Sequence, residues 1–122
     1  MTERVRAVRG ATTLDRDDHA QLIDRTQELI HLVFERNGLV EDDLVSIVFT
    51  ATMDITCGFP AEAAREAGFL HTPLLCAREL EVDGGIPRCV RVLVHAYTDR
   101  SKRDLRHVYL HEARQLRTDL PE

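Results

Sequence analysis

The chain has 122 residues, 43% of them hydrophobic, and a formal net charge of −5 at pH 7. That length suits one ordinary domain with its own core, and the acidic balance argues against non-specific nucleic-acid binding, which needs a basic footprint. No run approaches the ~20 apolar residues of a membrane span, and "MTERVRAVRG" is charged where a signal peptide would be apolar, so a cytoplasmic protein with no membrane partner is expected.

The opening alternates Arg4 and Arg6 with Val5 and Ala7 and predicts a short strand that breaks at Gly10. Leu22, Ile23, Thr26, Leu29, Ile30 and Val33 then recur at helical spacing, with Asp15, Asp17 and Asp18 at the positive N-terminal end and Asn37-Gly38 at the stop. An acidic loop leads into a buried strand from about Leu44 to Ala51. "FPAEAAREAG" reads as a short helix started by Pro60 and ended by Gly68. "TPLLCARELEV" predicts an extended segment and "DGGIP" a turn.

In "CVRVLVHAYTD", strand alternation puts Cys89, Arg91, Leu93 and His95 on one face and Val90, Val92, Val94 and Ala96 on the other. Both faces are largely apolar, as in a strand covered on both sides. "HVYL" predicts a last strand, and the polar tail from about residue 112 is expected to need a neighbour for order. The order β-α-β-α-β-β-β describes an α+β protein, one domain spanning 1–122 with a mixed sheet and two helices. If the helices lie opposite the valine face, that face is too wet for a monomer, and a symmetric oligomer closing sheets on one another resolves this.

The positive charge is peculiar in kind, because every basic residue except Lys102 is arginine. A coding bias explains part of this, and a planar fork that grips carboxylate or phosphate could explain the rest. Cys76 or Cys89 as a nucleophile, with His95, His107 or His111 as base, lacks any motif holding the groups together, and buried cysteine usually serves as a small hydrophobe. His107 and His111 resemble a metal pair, but four residues along a strand span ~13 Å, too far to share one ion. Arg9 stands at the end of the first strand, beside a Gly that would let a ligand approach the backbone. Arg65 is on the short helix, Arg91 is mid-strand, and Arg106 and Arg117 lie near the C-terminus. Glu79 and Tyr109 also fall in apolar strand contexts. Each has an ordinary structural reading, such as a Glu79–Arg91 ion pair. Together they suggest a site for a polyanionic small molecule that uses neither metal nor nucleophile.

"VRGATT" at 8–13, "FPA" at 59–61, "DGGIPRCVRVLV" at 83–94 and "RHVYLHEARQLRTDL" at 106–120 resemble the chorismate mutases, of the small trimeric α/β class rather than the all-helical one. The resemblance implies a homotrimer whose sheets close into a barrel-like core, with active sites at the subunit interfaces. It implies conversion of chorismate to prephenate, towards phenylalanine and tyrosine, with no cofactor and no metal. By motif, Arg9, Glu79, Arg91 and Tyr109 would line the pocket, Arg91 and Glu79 being the catalytic pair. Phe59, Ala61 and Arg65 would come from the neighbouring subunit, and Leu75, Cys76, Leu116 and Arg117 would complete the walls. Three features bear on this carry-over. Glu62 stands where a lysine can occur, "EAGFLHTP" is a residue shorter than in some relatives, and Cys76 and Glu79, three apart, reach one pocket only if the strand bulges or ends between them. A non-catalytic trimeric sensor for an aromatic-pathway carboxylate and a trimeric imine or enamine hydrolase are the alternatives.

Overall fold

The computed structural model describes residues 2–116. Five strands form one sheet: β1 (Arg4–Thr13), β2 (Leu44–Ala51), β3 (Leu74–Arg78), β4 (Cys89–Thr98) and β5 (Val108–Tyr109). Their order is β3-β2-β4-β1-β5. β4 is antiparallel to both β1 and β2, whereas β3 and β5 run parallel to the strands they flank, so the sheet is mixed as expected. Two α-helices, α1 (His19–Asn37) and α2 (Pro60–Glu66), pack against each other and on the same side of the sheet.

The apolar stripe of α1 explains its seat. Leu22, Thr26, Leu29, Ile30 and Val33 are buried, Asp18 caps the N-terminus by accepting from Gln21 N–H at 3.0 Å, and Gly38 ends the helix at φ 62°. Under the stripe lie Val8, Ile47, Phe49, Val92 and Val94, all in one core cluster. Each such fully buried side chain contributes ~1.5–3 kcal/mol.

This packing reverses the arrangement weighed from the sequence. The helices cover the valine face of β4, and the face left without a helical layer carries Arg91, Leu93, His95 and Tyr97. Likewise Val5 and Ala7 are exposed, because the strand parity that buries Val8 turns them to the open side. Nor does β1 break at Gly10. A Cβ there would stand 3.0 Å from both Leu29 Cδ1 and the Val108 carbonyl oxygen, so the glycine admits α1 and β5 rather than a ligand.

One part of the open face is covered. The 3-10 segment His111–Leu116 lays Ala113 over Ala11 and Cys89, with Tyr109 and Leu116 packed alongside. As far as Leu116, the tail packs on its own chain.

Candidate active site

Arg91 sits mid-β4 opposite Thr50 of β2 and Ala11 of β1. Its Nε stands 2.9 Å from Glu79 Oε1, the ion pair foreseen in the sequence. The buried Nε–H is not aligned on that oxygen, and it finds no hydrogen-bond acceptor among the described residues. The contact is a close charge pair rather than an aligned hydrogen bond. The guanidinium side chain is 43% exposed and the Glu79 side chain 17%. Glu79 is held from behind by Thr50, whose hydroxyl donates to the same Oε1 at 2.5 Å.

Glu79 shares the open-face parity of Leu75, whereas Cys76 takes the opposite one, so against expectation the two do not reach one pocket. The Glu79 backbone N–H bonds to the Ala51 carbonyl at 3.0 Å, and the Arg78 guanidinium locks onto the Thr52 and Ile55 carbonyls at 2.8 Å each. The start of β4 is fixed by a second set of contacts. Arg88 adopts the left-handed region at φ 47°, an uncommon conformation for a side chain of its size. Its N–H donates to the Asp54 carboxylate at 3.0 Å, and its Nε donates to the Leu14 carbonyl at 3.1 Å. Thr52 Oγ1 accepts from Cys89 N–H at 3.0 Å and donates to Asp54 at 2.6 Å. Arg91 follows two residues later, on a backbone with little freedom to move.

Arg9, Gly10, Val48, Thr50, Glu79, Arg91, Leu93 and Tyr109 line a cleft of ≈ 330 Å³ on the open face. A neighbouring depression of ≈ 610 Å³ shares Thr50, Glu79 and Arg91 and is bordered by the 80–87 loop. The guanidinium of Arg9 has no carboxylate partner among the described residues. The cleft thus offers two guanidiniums, one carboxylate and one phenol around an apolar floor, an arrangement suited to a small dianion.

The other residues singled out divide by face. Leu75 is on the open side next to Val48 and is 62% exposed. Leu116 backs Tyr109. Cys76 pairs in register with Phe49 and packs against the core under the helices, so it faces away from Arg91. Phe59, Ala61 and Arg65 belong to α2 or its N-cap, in the layer on the opposite side of the sheet. Phe59 and Arg65 are exposed there, while Ala61 is buried in the chain's own core. Arg106 is half-buried and bonds to nearby carbonyls. Arg117 lies outside the described residues. Glu62 receives His19 Nε2 at 2.6 Å.

The Cys89 and Cys57 thiols are poor nucleophiles. Burial pushes Cys89 up to about 11, and burial, followed by the Asp17 carboxylate, does the same for Cys57. Thr50, the Thr52–Asp54 turn and Arg88 were missed in the sequence. The positive φ at Arg88 has no sequence signature, and the hydroxyls were absorbed into strand propensity.

The chain matches the family described as chorismate mutase type I over residues 5–120. It is 45% identical to the chorismate mutase AroH of Thermus thermophilus over 117 residues, covering 95% of this chain and 96% of that protein. With the chorismate mutase AroH of Bacillus subtilis the identity is 38% over 117 residues, covering 95% and 92%. A chorismate mutase structure from Clostridium thermocellum superposes with a TM-score of 0.88 at 44% identity, covering 89% of this chain and 97% of that one. With full-length relatives and a shared fold both in hand, this chain belongs to the type I chorismate mutases, isomerases that convert chorismate to prephenate.

Proposed function

We propose that the chain rearranges chorismate in the Arg9–Glu79–Arg91–Tyr109 cleft, and that the complete site forms in a homotrimer. The Arg91 guanidinium, 43% exposed in the cleft and held beside Glu79, is the observation that carries the catalytic assignment. The reaction breaks a carbon–oxygen bond and forms a carbon–carbon bond within one molecule, with no proton transfer and no covalent intermediate. An enzyme accelerates it by holding the folded conformer and stabilising charge that appears as the bond breaks. The ether oxygen gains negative character, and a fixed guanidinium donor there is worth ~3–4 kcal/mol. Arg91 supplies that donor, positioned by the register of β4. Glu79 accepts the ring hydroxyl and faces the positive charge developing on the ring. Arg9 and Tyr109 take a carboxylate and orient the side chain that must fold over the ring.

Two features support assembly. The open face carries Val5, Leu75 and Tyr97 at 47%, 62% and 49% exposure, beside the half-buried Val48 and Leu93. Apolar area of this kind on one face of a sheet favours self-association. Phe59, at 68% exposure, and Arg65 lie in the helical layer, so they can close this cleft only from another copy. Three free cysteines accord with a cytoplasmic location. No helix among the described residues is long and apolar enough to cross a membrane. Prephenate made here would feed phenylalanine and tyrosine formation.

The test is loss of chorismate absorbance in buffer with chelator, prephenate being confirmed by chromatography, alongside sedimentation of the enzyme. Turnover by a trimer is the expected result. Tight chorismate binding without product would mean a sensor, and turnover by a monomer would remove the assembled site.

A further inference from the structure

A chain of contacts, buried at Asn37, leads from the C-terminal end of α1 to the backbone of Arg9. Asn37 is only 2% exposed, and its carboxamide clasps the peptide of Arg106 in both directions. Asn37 Nδ2 donates to the Arg106 carbonyl at 2.9 Å, and Arg106 N–H donates to Asn37 Oδ1 at 2.7 Å. Asn37 Nδ2 also donates to Val33 O at 2.8 Å, so the clasp is tied to the helix itself. With Leu105 buried just before it, the 105–107 segment is pinned where it enters β5. The next residue is His107, and its Nδ1 accepts the backbone N–H of Arg9 at 3.0 Å. β5 has only two residues, pairing Gly10 with Val108 and Ala11 with Tyr109, so its ladder stops one step short of Arg9. The imidazole takes the acceptor position that a longer strand would fill with a carbonyl.

We propose that His107 is a positioning residue for Arg9, acting through its Nδ1 lone pair. Since the donor is a backbone amide, Nδ1 must be the unprotonated ring nitrogen. The parallel register that pairs Gly10 with Val108 brings His107 beside Arg9 and Tyr109 beside Ala11, and the other edge of β1 is already paired to β4. Without the imidazole, the amide of Arg9 faces solvent on the β5 side, and the residue that grips a substrate carboxylate loses its lateral support. The effect belongs to binding rather than to the bond-breaking step, because Arg91 and Glu79 are held by β2, β3 and the Thr52–Asp54 turn. This inference rests on Arg9 being a substrate-binding residue.

The test uses the full-length enzyme with His107→Ala, His107→Asn and His107→Gln, each with and without Arg9→Ala. The readouts are KM and kcat for chorismate and Kd for prephenate, the last being measurable even where turnover is lost. Loss of one neutral hydrogen bond predicts an increase of about 5-fold in KM and Kd for His107→Ala, with kcat held within about 2-fold because the transition-state contacts are untouched. Asn places Oδ1 where Nδ1 stood and should restore binding, whereas Gln places its oxygen further out and should not. In the Arg9→Ala background the His107 substitutions should have no further effect. Equal behaviour of Asn and Gln, a wild-type Kd for His107→Ala, or an undiminished effect without Arg9 would each overturn the proposal. Should His107→Ala fail to fold, the Asn–Gln comparison decides alone. If Arg9→Ala by itself leaves prephenate affinity unchanged, the reading of Arg9 fails first, which separates that failure from an additive His107 effect.

Discussion

On the proposed assignment, replacing Arg91 by alanine removes both a donor and a charge from the point where the ether oxygen leaves. A unit charge about 4 Å from half a developing charge is worth ~2 kcal/mol at an effective dielectric of ~20, and the lost oxyanion donor adds ~3 kcal/mol. Together these predict that kcat falls about 10³- to 10⁴-fold. The Glu79–Arg91 pair is partly solvated, with the arginine side chain 43% exposed. Its loss should therefore cost the fold no more than ~1 kcal/mol, and circular dichroism should show a small change in Tm. Glu79 keeps its hydrogen bond from Thr50, so it is not left unpartnered. The assay is steady-state loss of chorismate absorbance. Citrulline at position 91 separates the contributions, since a neutral donor is about half as strong as a charged one. That variant should remain within about tenfold of alanine. A change confined to KM, or a citrulline enzyme as fast as wild type, would refute the electrostatic argument.

Thr50→Val removes the hydroxyl behind Glu79 without changing the shape of the strand face, and losing ~1.5 kcal/mol of charged hydrogen bond should slow kcat about tenfold. An unchanged kcat would mean that Arg91 alone fixes the carboxylate. Gly10→Ala pushes a methyl to 3.0 Å from Leu29 Cδ1 and the Val108 carbonyl oxygen. Overpacking there should cost ~1–3 kcal/mol and lower Tm by on the order of 10 °C in calorimetry, with β5 the first element to lose amide-exchange protection. Asp17 is held down to about 2, first by the Thr56 hydroxyl and then by Cys57 and the Thr56 N–H. Its folded value lies below the ordinary one, so its contribution is full above about 4 and is lost as pH falls towards about 2. Urea midpoints across that range should drop in the wild type and less steeply in Asp17→Asn; parallel curves would remove Asp17 from the acid response.

Element identity was legible because it is a local signal. The stripe Leu22, Ile23, Thr26, Leu29, Ile30 and Val33 repeats with the helical period, and all but the half-buried Ile23 are buried. The alternation of residues 89–98 likewise separated the core valines from the Arg91 face. The Glu79–Arg91 pair was legible for a related reason: a charge in an apolar strand needs a partner, and few candidates were available. What the pattern could not contain was the side on which the helices pack. Both faces of β4 read as apolar, and only the seating of α1 over Val8, Phe49 and Val92 left Arg91 on the open side. The same holds for the polar contacts that hold the site. His107 meets Arg9 across 98 residues and Asn37 meets Arg106 across 69, and such pairings depend on the path of the whole chain. Hydrophobic period is written into neighbours along the sequence, whereas a hydrogen bond is set by distance and angle in space. Sequence therefore determined the strands, helices and charged residues of this protein, and tertiary packing decided which of them meet.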